Sequence, residues 1–344
     1  MKQIDRLLAR RTVIKSAGLG LVAGGVASAS PSQGATAVPT EGGEIWSSEY
    51  WTRKGDIPLW MFRKRIGAPK AGEPARPVVF FVHGSSVTSR VFDLNVPGKG
   101  EYSMMNIMAR EGYDVWTMDH DGYGHSGSSG NNSDIASGVE DLKAAVPVIA
   151  KETGQQKMHM YGTSSGGIRA AAFAQAQPAS VDRLILSAFT YKGEGAEEIA
   201  RRRKRIDEFR ANPRRKRDAA MIRSIFTRDG HPGSTDPAVP EAIIAVEMKF
   251  GDTIPTGTYL DMAANLPIVD PKKVLSPVLM LRGTWDGNST NEDLLDFYKQ
   301  LPNGDRQFVI LPETAHSPGY GKNRHLLYYA VKNFLAAPAP IAAS

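Results

Sequence analysis

Cysteine is absent from all 344 residues of the chain. This absence excludes disulfide bonds, a cysteine-linked lipid anchor and a thiol nucleophile, and it suits a protein that needs no oxidative cross-links. Hydrophobic residues make up 41% of the sequence, which is enough for a substantial core in one large α/β domain or two small ones.

A strong net charge is also missing from most of the chain. The formal charge is +6, but residues 1–37 carry +4 of it through five basic residues and one acidic residue. The remainder therefore has a net charge of only +2. The high isoelectric point is mainly a property of the N-terminal segment, and we expect no nucleic acid partner.

Residues 1–37 have the order of an export signal: a basic start, a short apolar stretch and then small residues. The segment Arg10–Lys15 resembles the twin-arginine signal. The apolar stretch is short for a membrane span and is interrupted by glycines, so we expect a leader that is removed and no stable membrane anchor afterwards. Cleavage after Ala29 or Ala37 fits the small-residue pattern, and the mature protein is expected to be periplasmic or secreted.

Downstream of the leader, apolar runs alternate with helical stretches and glycine-rich turns. Two aromatic-rich runs, separated by Gly55 and Asp56, predict an opening hairpin. The later runs are continuous, as expected for strands buried on both faces of a parallel sheet, and the helices between them indicate right-handed βαβ units. These runs are Pro77–Val82, Tyr113–Met118, Met158–Tyr161, Val181–Phe189, Pro277–Gly283 and Gln307–Leu311.

The alternation stops between about Lys192 and Met262, where the sequence is charged, helical and rich in turns. We interpret this segment as a helical cap inserted before the penultimate strand. The predicted fold class is α/β, with a mostly parallel sheet flanked by helices. The predicted parts are a leader and linker at 1–37, the first part of the core at 38–190, the cap at 191–268, the second part of the core at 269–336 and a disordered tail at 337–344.

The strongest candidate for chemistry is Ser164, in the pattern Gly162-x-Ser164-x-Gly166. A strand that turns abruptly into a helix leaves room only for glycine beside the turn, and such a turn exposes the serine hydroxyl at the helix N-terminus. Glycine and serine also occur together in ordinary turns. The motif alone therefore leaves a plain strand–helix loop as an alternative.

Two further residues follow predicted strands. Asp286 lies in the loop after the penultimate strand, and His316 lies in the loop after the last one. Because the carboxyl ends of parallel strands meet at one edge of a sheet, we expect both side chains near Ser164. A serine needs a base to take its proton, and the base needs a carboxylate to orient it, so these three residues predict a catalytic triad.

The order serine, aspartate, histidine, together with His83-Gly84 and the turn at Asp119–Ser126, resembles the α/β-hydrolase family over roughly Glu44–Leu335. The resemblance implies an oxyanion hole made by the backbone N–H groups of Ser85 and Ser165. It also implies acyl transfer that requires no metal or other cofactor. Haloalkane dehalogenases and epoxide hydrolases resemble this architecture but carry aspartate at the elbow, so the serine argues against both.

Other residues compete for the triad roles. Ser165 is an alternative nucleophile, but the motif places it at the amide-donor position. Glu194 is a reserve acid, because some α/β-hydrolases carry the acid after the preceding strand, whereas Glu313 fits a solvated turn better. We expect His83 to brace the oxyanion loop. A metal site built from His120, Asp121 and His125 has no evident further ligand, so structural or rim roles are expected for these residues.

The cap is unevenly charged. Residues 192–228 carry thirteen basic and six acidic residues, whereas residues 229–265 have a net charge of −5. Our preferred interpretation is a basic face that is solvated or pairs with the acidic half, and the alternative is a positive rim that attracts acidic substrates. Candidates for an apolar acyl pocket, or simply for packing of the cap, are Met248, Phe250, Tyr259 and Met262.

We therefore expect an exported serine hydrolase that cleaves a carboxylic ester, with a small acidic or aromatic ester as the candidate substrate. One alternative is a carbon–carbon bond hydrolase of ring-cleavage products, and a lactonase or an amidase would use the same triad. A ligand-binding, receptor-like protein with vestigial turnover is an alternative of another class. The sequence predicts neither the natural substrate nor the oligomeric state.

Overall fold

The computed structural model describes residues 43–338 and residue 340. The predicted leader, both predicted cleavage sites and most of the predicted tail lie outside these residues. Within the described range, no helix combines the length and the apolar character that a membrane span requires.

The strands in this range are β1 (Ile45–Lys54), β2 (Ile57–Ile66), β3 (Val78–Val82), β4 (Asp114–Met118), β5 (Met158–Thr163), β6 (Val181–Ser187), β7 (Arg214–Lys216), β8 (Thr253–Pro255), β9 (Val278–Gly283) and β10 (Arg306–Leu311). Eight of them form one sheet in the spatial order β1-β2-β4-β3-β5-β6-β9-β10. The other two, β7 and β8, pair with each other.

The helices are α1 (Met104–Arg110), α2 (Ile135–Thr153), α3 (Ser165–Ala176), α4 (Glu197–Arg203), α5 (Ile206–Ala211), α6 (Ala219–Ile225), α7 (Ala238–Glu247), α8 (Gly257–Leu260), α9 (Asn291–Gln300) and α10 (Arg324–Ala336). They begin where the sequence offers capping groups. Ser103 accepts the Asn106 N–H at the start of α1, and Asp134 accepts the Ser137 N–H at the start of α2. Gly154 ends α2 in the left-handed conformation that glycine favours, with φ of +72°.

The edge of the sheet is the predicted hairpin. β1 and β2 are antiparallel, with Ile45 opposite Ile66, and they turn at Gly55 and Asp56. β2 pairs antiparallel with β4, and every later pair of neighbours is parallel. The mostly parallel sheet predicted from the apolar runs is therefore confirmed.

Helices cover both faces of the sheet, so β3 and β4 are buried along their whole length. One apolar layer includes Leu142 of α2, Phe173 of α3 and Phe297 of α9. The other includes Met105 of α1 and Val331 of α10. Burial on both faces explains why the strands appear in the sequence as continuous apolar runs and not as alternating patterns.

The segment between β6 and β9, here called the cap, contains α4 to α8 and the small sheet of β7 and β8. The sequence had indicated helices alone. Strands of three residues, one of them entirely basic, are too short to produce a strand pattern. The cap packs on the core through a cluster in which Ile222, Val239 and Ile243 join Val91 and Tyr102.

Candidate active site

Ser164 lies at the junction of β5 and α3, with φ of +55° and ψ of −127°. Residues other than glycine seldom adopt such a conformation, so the backbone is strained at this position. Glycines flank it because there is no space for side chains. A Cβ on Gly162 would collide with the carbonyl group of Gly166, and a Cβ on Gly166 would collide with the carbonyl groups of Val82 and His83. Close packing of strand against helix thus explains the motif.

The structure brings Ser164, His316 and Asp286 together. The distance from Ser164 Oγ to His316 Nε2 is 3.0 Å, and the distance from His316 Nδ1 to Asp286 Oδ1 is 2.8 Å. The three side chains come from the loops after β5, β10 and β9, at the carboxyl edge of the parallel strands. With Nδ1–H donating to the carboxylate, Nε2 is free to accept the serine proton.

Asp286 is buried but kept ionised. Burial by itself would raise the pKa of Asp286, but the charge and the hydrogen bond of His316, with the N–H of Asn288 at 2.9 Å, hold that pKa below its usual value. Arg282 donates to the backbone carbonyl of Asp286 at 2.9 Å and so fixes the loop. The arrangement presents a charged carboxylate to the imidazole at neutral pH.

The cap contacts both loops that carry these residues. The backbone N–H of His316 donates to Asp229 Oδ2 at 2.9 Å. The other oxygen of Asp229 is buried and has no hydrogen-bond partner in the described part of the chain. Beside it, the ring of His231 stacks on Trp285 with a centroid distance of 3.9 Å. Contacts from the cap therefore help to set the positions of the acid and base loops.

Ser85 and Ser165 flank the nucleophile. Ser85 belongs to the β3 loop (His83–Thr88), and Ser165 is the first residue of α3. Their hydroxyl groups are 2.7 Å apart. Within residues 43–338, neither backbone N–H donates to a backbone carbonyl. Two amide donors beside a serine hydroxyl are the arrangement that stabilises an oxyanion.

Hydroxyl groups join the β3 loop to the rest of the site. Thr258 of α8 donates to Ser85 Oγ at 2.8 Å, and the hydroxyl groups of Ser86 and Tyr259 are 2.6 Å apart. From the core side, the Tyr123 hydroxyl donates to the Ser85 carbonyl at 3.0 Å. The loop is thus held by the cap and by the turn after β4 together.

The rival residues are not joined to the histidine. The Ser165 hydroxyl is buried against Ser85 and has no base beside it. Glu194 and Glu313 are exposed, and neither carboxylate contacts His316, whose Nδ1 is occupied by Asp286. Glu313 adopts φ of +53° in the turn after β10. Geometry therefore favours the predicted serine and aspartate over these alternatives.

His83 links two loops of the core. Its Nδ1 donates to the Gly84 carbonyl at 2.8 Å, and its Nε2 accepts the backbone N–H of His120 at 3.2 Å. Complete burial, reinforced by the charges of His120 and Arg169, holds the pKa of His83 well below its usual value. A neutral ring that is committed to two backbone groups braces the β3 loop and does not transfer protons.

The other two histidines also have structural partners. His120 Nδ1 lies 3.0 Å from Asp141 Oδ2, and the ring of His125 packs on Trp60 with a centroid distance of 4.5 Å. Asp121 pairs instead with Lys54 at 3.1 Å. Among the described residues, no group of histidine, aspartate and glutamate side chains is arranged to hold a metal ion.

A cleft opens beside Ser164 and His316. Its apolar lining includes Phe92, Tyr102, Met104, Ile225, Phe226 and Ile243. The residues suggested by the sequence lie elsewhere: Met262 is buried in the core, Phe250 packs on His125, and Tyr259 lines an adjoining cavity. Sequence patterns did not identify the core-side lining residues Phe92, Tyr102 and Met104. For Phe92, the available signal was its position shortly after the β3 loop.

Most of the basic residues of the cap form ion pairs. Arg217 pairs with Glu247 at 2.6 Å, and Arg223 pairs with Glu241 at 2.6 Å, so both contact the acidic half as the preferred interpretation expected. Others pair with acids three residues away in the sequence, namely Arg201 with Glu198, Arg205 with Glu208 and Arg210 with Asp207. The preferred interpretation of a solvated or paired basic face does not apply to the whole segment, and neither does the alternative of a positive rim, because only Arg202 and Arg228 of these residues line the cleft.

A serine on a strained strand–helix turn, bonded to a histidine and a buried carboxylate at the edge of a mostly parallel sheet, defines the class of α/β-hydrolases. Comparison with protein families agrees with this class. The family described as serine aminopeptidase, S33, matches residues 73–319. The chain belongs to this family and is a hydrolase. No curated protein matches its sequence.

Solved structures share the fold at low sequence identity. A thermophilic esterase from Thermogutta terrifontis is 18% identical, with 84% of this chain and 98% of that chain covered and a TM-score of 0.57. The 2-hydroxy-6-oxo-6-phenylhexa-2,4-dienoate hydrolase from Rhodococcus sp. strain RHA1 is 17% identical, with 86% and 100% covered and a TM-score of 0.61. E-2-(acetamidomethylene)succinate hydrolase is 17% identical, with 85% and 100% covered and a TM-score of 0.62.

Proposed function

We propose that the protein is a serine hydrolase that cleaves carboxylic esters through an acyl-enzyme intermediate. The observation that carries the proposal is the continuous hydrogen-bonded chain from Ser164 through His316 to Asp286 beside an open cleft. The apolar end of that cleft suits the hydrocarbon part of an ester.

In the proposed mechanism, His316 Nε2 takes the proton of Ser164 as Oγ attacks the ester carbonyl carbon. The negative charge that develops on the carbonyl oxygen is held by the backbone N–H groups of Ser85 and Ser165. The imidazolium, oriented by ionised Asp286, then gives its proton to the departing alkoxide. A water molecule, deprotonated by His316, releases the acid and restores Ser164.

The direct test is the Ser164→Ala variant, assayed with p-nitrophenyl butyrate and with a fluorescent alkyl phosphonate. We expect loss of turnover and of covalent labelling, because the nucleophile is gone. Ser180→Ala is the matched control, since Ser180 lies in the turn between α3 and β6, away from Ser164, and the variant should keep both signals. Retained activity in Ser164→Ala would reject the mechanism, and labelling of the wild-type protein without multiple turnovers would favour the receptor-like alternative.

A carbon–carbon bond hydrolase is the second candidate. Support comes from Arg202 and Arg228 in the cleft. The dienoate after which the Rhodococcus enzyme is named carries a carboxylate, which arginine side chains can bind. A lactonase or an amidase would use the same groups. Assaying the purified protein with esters, lactones, amides and vinylogous diketones at equal concentration ranks these chemistries, and the substrate with the highest kcat/KM identifies the bond that is cleaved.

We also propose that the chain is exported. Support comes from the basic start, the short apolar stretch and the small residues of positions 1–37. Replacing Arg10 and Arg11 by lysine should retain the precursor inside the cell, and N-terminal sequencing of the exported protein decides between Ala29 and Ala37. An unprocessed protein in the cytoplasm of wild-type cells would contradict export.

A further inference from the structure

Two arginines of the cap face the reacting groups. Arg202 of α4 and Arg228, after α6, line the cleft that contains Ser164 and His316. The same two arginines line an adjoining cavity, which shares Ser86 with the cleft. The two spaces are therefore neighbours that share these two arginines, and a substrate that occupies the cleft lies beside them.

Carboxylates do not balance this charge. The adjoining cavity is lined by Arg202, Arg205, Arg215 and Arg228 and by a single acid, Glu198; of these arginines, Arg205 also pairs with Glu208, which does not line the cavity. Glu198 is shared by three arginines, because Arg201 also pairs with it. Burial opposes ionisation of Glu198, but the charges of Arg228, Arg202 and Arg201 hold its pKa below the usual value. The cluster therefore keeps a net positive charge.

Arg228 uses little of its hydrogen-bonding capacity, and Arg202 uses only part of it. Arg228 Nε is buried without a partner in the described part of the chain, and the nearest carboxylate oxygen, of Glu198, is 3.7 Å from its Nη1. Arg202 is 6% exposed; its Nε donates to Glu198 Oε1 at 3.2 Å, but its Nη1 donates to the sulfur of Met262, also at 3.2 Å. Buried guanidinium donors that lack an oxygen acceptor are destabilising.

Arg217, an arginine of the same segment with a structural role, shows the difference. Its two terminal nitrogens donate to Glu247 Oε2 and to the carbonyl groups of Glu247 and Gly251, at 2.6 to 3.0 Å. The Nε atoms of both Arg217 and Arg228 have no partner among the described residues, so the two arginines differ at their terminal nitrogens, which make no hydrogen bond in Arg228. Burial and the nearby charge of Arg228 lower the pKa of Arg202 to about 10, so Arg202 is charged at neutral pH and is repelled by Arg228.

We propose that Arg202 and Arg228 bind a carboxylate group of the substrate, so that the enzyme prefers esters that also carry a free carboxylate. A carboxylate supplies oxygen acceptors for the guanidinium donors and offsets the repulsion between them. An uncharged ester group would leave the positive charge unbalanced. This inference rests on the ester hydrolysis proposed above and identifies the substrate class of that same site.

The test compares p-nitrophenyl butyrate with p-nitrophenyl hemiglutarate, which adds a carboxylate to the acyl chain, and with a butyrate ester whose nitrophenyl ring carries the carboxylate. For the wild-type protein, we expect kcat/KM to be at least about tenfold higher for one of the acidic esters than for the neutral ester. The position of the favoured carboxylate shows whether the arginines face the acyl or the alcohol side.

Arg228→Gln should remove most of that preference, through a higher KM for the acidic ester, and leave the neutral ester within about threefold. Arg223→Gln is the matched control, because it makes the same change in the same segment but lies outside the cleft. If Arg228→Gln fails to fold, competitive inhibition of the wild-type protein by glutarate but not by glutaramide provides the same information.

The outcomes separate the two proposals. Absence of Ser164-dependent turnover of every ester rejects the ester hydrolysis itself. Turnover of p-nitrophenyl butyrate without any advantage for an acidic ester, or an equal loss on acidic and neutral esters in Arg228→Gln, rejects the carboxylate site and leaves the hydrolase mechanism intact.

Discussion

The two walls of the cleft differ in how their polar groups are used. On the core wall, Ser164, His316 and Asp286 are joined in one chain of hydrogen bonds. On the cap wall, the buried Nε of Arg228 has no partner among the described residues, and Arg202 donates through Nε to Glu198 and through Nη1 to the sulfur of Met262. The catalytic groups are therefore linked in one hydrogen-bonded chain, whereas the arginines retain donors that lack an oxygen acceptor.

The difference follows from the task of each wall. Groups that stabilise a transition state act best when they are fixed before the substrate arrives, and a parallel sheet supplies fixed strand ends. Groups that select a substrate must exchange their partners for it, so they remain under-bonded until it binds. Substitutions on the core wall should therefore change kcat, whereas substitutions on the cap wall should change substrate preference.

The largest effect should come from the core wall. Asp286→Asn removes the charge that orients His316 and favours the wrong imidazole tautomer, so we expect kcat to fall by about 10⁴-fold. The circular dichroism spectrum should not change. Asp207→Asn, at an exposed position of α5, is the control and should behave as the wild type. A loss of less than tenfold would show that Asp286 does not orient His316 for catalysis.

The next largest effect is expected on stability, at the buried ion pair of Arg217 and Glu247 that connects the cap to the β3 loop. Arg217→Met leaves the buried carboxylate of Glu247 without its main partner, and that carboxylate also accepts the N–H and hydroxyl groups of Thr88 in the β3 loop. We expect the free energy of unfolding to fall by about 3 to 5 kcal/mol in urea denaturation.

The double variant Arg217→Met with Glu247→Leu should recover much of that loss, because no unpaired charge remains. The exposed pair offers the contrast: Arg223→Met should change stability by less than about 1 kcal/mol. Equal losses of unfolding free energy in Arg217→Met and Arg223→Met would contradict the expected difference between a buried and an exposed ion pair.

A smaller effect is expected at Asp229, where the cap accepts the backbone N–H of the base. Asp229→Ala frees the loop of His316, and we expect kcat to fall by about tenfold with little change in KM, because the base is less well positioned. Asp229→Asn keeps an oxygen acceptor and should retain most of the activity. If both variants match the wild type, the cap does not help to position the base.

The smallest effect concerns pH and His83. The pKa of His83 in the folded protein lies well below that of an unfolded histidine, about 6.5, so the unfolded chain binds more protons as the pH falls below that value. Stability should therefore decrease on acidification, by up to about 1.4 kcal/mol per pH unit from this residue.

His83→Gln removes the titrating ring while keeping a donor and an acceptor for the two backbone groups. The slope of unfolding free energy against pH, measured from pH 6.5 to pH 5 by urea denaturation, should become shallower in this variant. An unchanged slope would show that His83 is not the buried neutral ring that its contacts indicate.

Sequence patterns predicted the core wall better than the cap wall, for a physical reason. Ser164, Asp286 and His316 each follow a strand, and the geometry of a parallel sheet brings strand ends together whatever lies between them. Apolar runs and glycine turns mark those strands directly. The fold class was therefore accessible from local patterns.

The cap offered no such rule. Which of the thirteen basic residues at positions 192–228 form ion pairs and which line the cleft depends on tertiary placement, so the sequence predicts a net charge but not the positions of Arg202 and Arg228. The strands β7 and β8 were missed because each has three residues. Met248, Phe250, Tyr259 and Met262 were candidates both for the apolar lining and for packing of the cap, because composition alone does not distinguish a lining residue from a packing residue.

The hydroxyl contacts between α8 and the β3 loop have a kinetic consequence. Thr258 is bonded to Ser85, whose backbone N–H is one of the two proposed oxyanion donors. Any displacement of α8 must break this contact or pull the β3 loop with it. The alignment of the oxyanion donor is therefore coupled to the position of α8, and a more mobile α8 should slow the attack of Ser164 on the substrate.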